Sequence, residues 1–311
     1  MMKADKYSNL FTPELTALIL RIGLGLIFIT GGLWKLSRLL DVERVTGILE
    51  RYTASNGYIN QFFQDYLFTG WLGEIITPWG FMTALSTFEL VSGIALIVGL
   101  MVRPLALIYM FLLWTFILAL PVHTVPGQLS ESATFQAPAM LVQIRDIALS
   151  GLMATLFLLG AGKASVDSRL FGAVATAREF DWNTLGLLTR LSMAAPLLIG
   201  GLFASTGAVP LFSTPGWLLL IVGLMLVSGA GVRAAGAAVV LIMLWRMGSG
   251  INFDNTFLDI INSFKREFAF VSAGLILAAL GGGERFTPAD ILRRIRAYWS
   301  AANPSARVTS D

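Results

Sequence analysis

The sequence predicts an all-α integral membrane protein of about eight transmembrane helices, and three observations carry that expectation. Hydrophobic residues make up 56% of the 311 and charged residues only 13%, whereas a soluble domain is about a quarter charged. Long uncharged runs recur at lengths that suit a bilayer core, which takes about 20 residues of helix. No stretch shows the dyad alternation of a β-barrel strand, so the backbone must be satisfied within helices.

Taken in order, the candidate spans are 15–36, 80–101, 104–121, 145–162, 189–206, 216–232, 234–250 and 266–282. Several are short, which implies tilt or local thinning of the bilayer. The first run is expected to be retained as a span, because "MMKADKYSNLFTPE" offers no small-residue cleavage site. Between the first two spans, 37–79 reads as a long connection outside. Within it, apolar residues at 36, 40, 45, 48 and 49 have helical spacing, and Trp71 and Trp79 flank the return to the membrane. At the C-terminus, "TPADILRRIRAYW" carries a threonine cap and a proline at the first helical position. Arg293, Arg294 and Arg296 suit anionic headgroups, so this helix is expected to lie on the inner surface.

Eight spans put both termini on one side. With that side inside, 14 of the 22 Lys and Arg residues face the cytoplasm, as the positive-inside rule favours. The expected location is a bacterial or archaeal cytoplasmic membrane. The chain has no cysteine, which excludes disulfides, thiolate catalysis and iron–sulfur clusters. Its single histidine, His123, excludes bis-histidine haem within one chain, and no metal or haem is expected. A formal charge of +3 is too small to suggest nucleic acid.

The chain also reads as duplicated. "LRIGLGLIFITGGL" aligns with "TRLSMAAPLLIGGL", placing Arg21 on Arg190. "SGIALIVGLMVR" aligns with "VGLMLVSGAGVR", placing Gly99 on Gly229. "RDIALSGLMATLFLLGAG" aligns with "REFAFVSAGLILAALGGG", placing Arg145 on Arg266 and Asp146 on Glu267. An even number of spans per unit makes the repeats parallel. The expected organisation is a first four-helix repeat over 1–165, an inner linker over 166–188, a diverged second repeat over 189–284 and a cytoplasmic tail over 285–311. Glu89 falls on Leu219 and Lys35 on Ala204, so only one half is expected to keep a site.

"LRIGLGLIFITGGLWKL", "FELVSGIALIVGLMVRP" and "RDIALSGLMATLFLLGAG" resemble the DoxX/DoxD group of four-helix membrane proteins. The resemblance covers the first half of the chain, and the other half is similar to a weaker copy of the same unit. DoxD is the membrane subunit of a thiosulfate:quinone oxidoreductase, and some members have a separate DoxA subunit. The resemblance therefore implies electron transfer from thiosulfate, or a related sulfur anion, to quinone, with tetrathionate formed and quinone as the electron acceptor. Implied partners are the quinone pool, lipid, the anion, and a DoxA-like subunit or a second copy in a homodimer.

Candidate residues follow. An ionisable group inside a span is costly and often functional. Glu89, in the second span, and His123 are candidates for moving protons. The alternative for Glu89 is a structural pair with Lys35 or Arg21. Trp34, Trp114 and Trp245, with Glu89, are candidates for the quinone pocket. Arg145, Arg266, Arg246, Lys265 and Lys35 are candidates for holding the anion, since arginine offers paired planar donors. Asp146 and Glu267 are read as acids at helix starts, favoured by the dipole, and as charge partners together with Arg21 and Arg190. Two other classes stay open: a non-catalytic quinone- or lipid-binding subunit of a respiratory assembly, and a small-solute transporter, for which Pro196 offers the one mid-span break.

Overall fold

The computed structural model describes residues 12–59, 61–124, 127, 133–134, 137–172, 181–203 and 214–302. Fifteen helices are described: α1 Pro13–Leu39, α2 Val45–Thr53, α3 Gln61–Leu67, α4 Gly70–Ile75, α5 Pro78–Val98, α6 Val102–Leu118, α7 Pro121–Thr124, α8 Ala139–Leu159, α9 Val166–Phe171, α10 Trp182–Phe203, α11 Gly216–Ser228, α12 Val232–Ser249, α13 Phe257–Ser263, α14 Glu267–Leu280 and α15 Pro288–Ala302. A two-residue ladder, β1 Ala133–Thr134 against β2 Ala137–Pro138, precedes α8. The protein is an all-α membrane protein. Helices α1, α5, α8, α10 and α12 are long and apolar enough to cross a bilayer, and α6, α11 and α14 are shorter apolar helices.

Helix starts follow local chemistry. The dipeptide Thr-Pro opens α1, α5 and α15. Thr12 Oγ1 accepts from the Leu15 amide at 3.2 Å, Thr77 Oγ1 from Gly80 at 3.1 Å and Thr287 Oγ1 from Asp290 at 3.2 Å. Each cap satisfies one orphan donor, and proline at the first position needs none. Helix α6 has no such cap. Its Met101 and Val102 amides instead donate to the buried Asp167 carboxylate, at 2.7 and 2.9 Å. That acid is supplied from α9, far along the chain.

Packing sorts the apolar helices into a centre and a rim. Helix α1 packs against α5 and α14, and α10 packs against α11 and α8. Helix α6 lies on α8, and α12 on α14. Thus α1, α8, α10 and α14 form the centre. Two thirds of the apolar stretch of α1 is buried (67%), against 33% for α5 and α12, so the rim helices keep broad apolar faces for lipid. One core runs through both halves, from Leu20 and Phe28 to Phe270 and Leu277. Close approach across the centre is made by small residues. A side chain at Gly23 of α1 would collide with Ser272 of α14, and one at Gly151 of α8 with Ser192 of α10.

Several expected boundaries shift. Helix α8 begins at Ala139 rather than 145, and α10 at Trp182 rather than 189, so the expected linker ends earlier. The sequence puts Arg145 and Asp146 at the water boundary of a span. They lie inside the helix instead, because Asp146 is buried against a partner. Helix α10 runs unbroken through Pro196, so the expected mid-span break is absent there. The charges counted at positions 3, 6, 178 and 307 lie outside the described residues.

Candidate functional site

Two groups of buried charge sit at opposite ends of the helices, and they differ in kind. At the end where α1 begins, Arg21 and Arg190 are almost fully buried, at 1% and 0% exposure. Arg21 donates to the carbonyls of Ala161 and Ala164, each at 2.8 Å. Arg190 donates to Leu226 and Val227, each at 3.0 Å, and to Arg285. Each guanidinium also lies against the glycine that ends the next packed helix, Gly99 or Gly229. Both glycines hold positive φ, at 79° and 75°, which glycine adopts without strain. The expectation of charge pairs is therefore corrected: Arg21 binds loop carbonyls beyond α8, Arg190 binds carbonyls of the last turn of α11 and of the loop before α15, and neither reaches an acid by a direct bond among the described residues.

The other end holds an ion network. On the last turns of α1, Lys35 pairs with Glu89 of α5 at 2.5 Å. Glu89 is 5% exposed. Gly31, one turn earlier, leaves room for Lys265, whose amine donates to Asn262 Oδ1 at 2.7 Å. A Cβ on Gly31 would lie 3.2 Å from Lys265 Nζ and 3.5 Å from Glu89 Oε2. Arg266 pairs with Asp146 of α8 at 3.2 Å, joining the two halves. Arg145 stays local, donating to its own helix at the Leu141 carbonyl, 3.2 Å, within electrostatic reach of Arg266 and Glu267. Glu267 is buried, and its Oε2 has no hydrogen-bond partner among the described residues. Four basic and three acidic side chains thus converge, a formal excess of one positive charge, while burial and the neighbouring Arg266 and Lys35 push Lys265 down to about 7.

The segment between α1 and α5 covers this network. Tyr52 and Tyr58 lie with ring centroids 6.0 Å apart. Burial pushes both phenols up, and for Tyr58 the neighbouring Arg266 opposes that shift. Both therefore remain neutral hydroxyls at neutral pH.

The remaining candidates are dispersed. Arg246 folds back on Gly250 at the end of its own helix. His123 is exposed on α7, and its Nε2 hydrogen-bonds Gln143 at 2.7 Å. Trp34 is buried, donates to Asp259 Oδ1 at 2.8 Å and carries the Arg38 guanidinium 4.0 Å over its ring. Trp114 is 47% exposed on α6 and Trp245 is 65% exposed on α12, so neither is packed with Trp34. Sequence reasoning misses Asp259, Asn262, Tyr52 and Tyr58. The only signal for Asp259 is the Thr256-x-x-Asp259 cap, in which Thr256 Oγ1 donates to Asp259 Oδ2 at 2.6 Å.

Comparison with curated proteins and with solved structures returned no match. The family model named DoxX matches residues 16–123, a segment that contains Lys35, Glu89, the covering loop and His123. That segment, about a third of the chain, is what is similar to DoxX.

Proposed function

We propose that this protein passes electrons from thiosulfate, or a related sulfur anion, to a membrane quinone, forming tetrathionate. The observation that supports this is the convergence of Lys35, Lys265, Arg145 and Arg266, with a formal excess of one positive charge, beside a buried carboxyl in the segment similar to DoxX. Two thiosulfate dianions repel one another. A cationic, partly dry site lowers that cost and brings their terminal sulfurs together. A new S–S bond then forms, two electrons leave, and tetrathionate carries away a charge of 2−. Quinone accepts the two electrons and two protons and leaves as quinol, so charge balances. Glu89, held by Lys35, is the group proposed to hand on protons. Arg145 is the cation of the set with no direct acid partner among the described residues, since its bond there is to the Leu141 carbonyl of its own helix. Both termini are proposed to be cytoplasmic, which sets this network at the outer face, with α15 lying on the inner surface.

The test uses purified protein in liposomes with a soluble quinone analogue. Thiosulfate should bleach the quinone band and yield tetrathionate, two thiosulfates per quinone. Arg145→Gln should raise the half-saturating thiosulfate concentration about ten-fold or more, because one charge-assisted hydrogen bond is worth about 1.5–3 kcal/mol. No thiosulfate-dependent bleaching by well-folded wild type would overturn the proposal. Retained quinone binding in that case would favour a non-catalytic subunit.

A further inference from the structure

Beside the ion network, and separate from its ligands, lies a cleft of about 210 Å³ lined by Trp34, Arg38, Arg44, Gly47, Ile48 and Arg51. A single water needs only about 10–15 Å³ of such space, so a small polyatomic guest fits. Arg44, Gly47, Ile48 and Arg51 recur at three- and four-residue spacing and so share one face of α2. That face is turned to the end of α1, where Arg38 rests on Trp34. Around Gly47 there is open space.

Three guanidinium groups thus meet across one cavity. Asp259 pairs with Arg38, and Asp41 leans on Arg44 at 3.3 Å. These two acids leave one positive charge over. Glu43 and Glu50 are on α2 or next to it, but they do not line the cleft. Arg44 sits at the N-cap of α2 without a side-chain cap bond, where the helix dipole disfavours a cation. Helix stability therefore does not favour its place; Asp41 holds it there at 3.3 Å, and it also lines the cleft.

We propose that this cleft binds a small tetrahedral oxyanion carrying two negative charges or a phosphodiester, with Arg44 and Arg51 as its forked donors and Trp34 and Ile48 as its floor. Arginine suits this chemistry because its planar fork matches paired oxygens. The same group is offered by free sulfate, phosphate or thiosulfate and by a lipid headgroup. The inference does not rest on electron transfer, since binding alone defines it.

The experiment places the full chain in nanodiscs. In zwitterionic lipid, sulfate, phosphate and thiosulfate are titrated in turn by calorimetry. In discs containing phosphatidylglycerol, native mass spectrometry counts retained anionic lipid. Arg44→Gln and Arg51→Gln, both at exposed positions, should each weaken binding about ten-fold or more, with unfolding temperatures unchanged. Glu50→Gln should bind as wild type does. Calorimetric binding lost in the two variants assigns a free oxyanion. Lipid retention lost in them, with no calorimetric signal, assigns a headgroup. No anion binding in either arm, or binding indifferent to both arginines, overturns the proposal. A protein that binds the oxyanion yet never reduces quinone sinks only the oxidoreductase proposal.

Discussion

At the scale of single residues, the buried charges divide by what they face. Arg21 and Arg190 face carbonyls, whereas Lys35, Glu89, Asp146 and Arg266 face one another. Replacing Arg21 by Gln removes two charge-assisted hydrogen bonds and strands two carbonyls. At about 1.5–3 kcal/mol per bond, the expected loss is about 3–6 kcal/mol in detergent unfolding, and Arg190→Gln, which loses bonds to three carbonyls, should cost at least as much. A loss below about 1 kcal/mol in either would mean that water replaces the guanidinium. Glu89→Gln behaves differently, because it leaves Lys35 without its counter-charge, which for a buried pair costs about 3–5 kcal/mol. Stability and proton transfer are therefore entangled in that variant. Lys35→Met combined with Glu89→Gln removes both charges and should recover much of the stability. If the double variant folds and turns over quinone at the wild-type rate, Glu89 does not carry protons.

At the scale of elements, α13 is fastened to α1 through one carboxylate. Asp259 accepts from Thr256 at 2.6 Å, from Trp34 at 2.8 Å and from Arg38. Its partial burial would raise its pKa, but the hydrogen bonds from Thr256 and Trp34 and the charge of Arg38 outweigh that and hold it below the usual carboxylate range. A carboxyl depressed in the folded state stabilises the fold above its unfolded pKa, about 3.9. That contribution is lost as pH falls through the lower, folded value. Wild type should therefore exceed Asp259→Asn in stability at pH 6 to 7, and the gap should close below about pH 4. A gap that persists unchanged at pH 3 would show that the carboxylate's charge is not what matters. The eight apolar helices are legible in the sequence because burial against lipid is written in long uncharged runs. The Thr-Pro start of α15 is legible for the same kind of reason, a local signature. The partners of Arg21 are not, because backbone carbonyls carry no residue identity. Asp146 reads as a helix-start acid, since nothing local shows that a cation 120 positions along the chain will bury it. Asp259 escapes a sequence reading because it lies in a polar stretch where an acid is commonplace.

At the scale of the whole molecule, the two halves repeat the same order of contacts. First helix packs on second and third on fourth, as α1 on α5 and α6 on α8, then α10 on α11 and α12 on α14. The cross-contacts are exchanged, with α1 on α14 and α10 on α8. The Gly23–Ser272 and Ser192–Gly151 approaches occupy aligned positions with glycine and serine swapped. These features support the proposal that the units are copies, and they fix which loops share an end. Val42, 89% exposed, lies at the end of the ion network and the arginine cleft. Ala230, exposed between α11 and α12, lies at the Arg190 end. The chain has no cysteine, so Val42→Cys and Ala230→Cys each introduce a single thiol into an otherwise silent background. With a maleimide that does not cross membranes, Val42→Cys should label in intact cells. Ala230→Cys should label only after the membrane is opened, because the proposed orientation, favoured by the lysine and arginine bias, has that end inside. The reverse result would turn the molecule over and place the ion network in the cytoplasm, removing access to an external anion. Labelling of both from the same side would break the pairing of helix ends itself, and with it the eight-span arrangement.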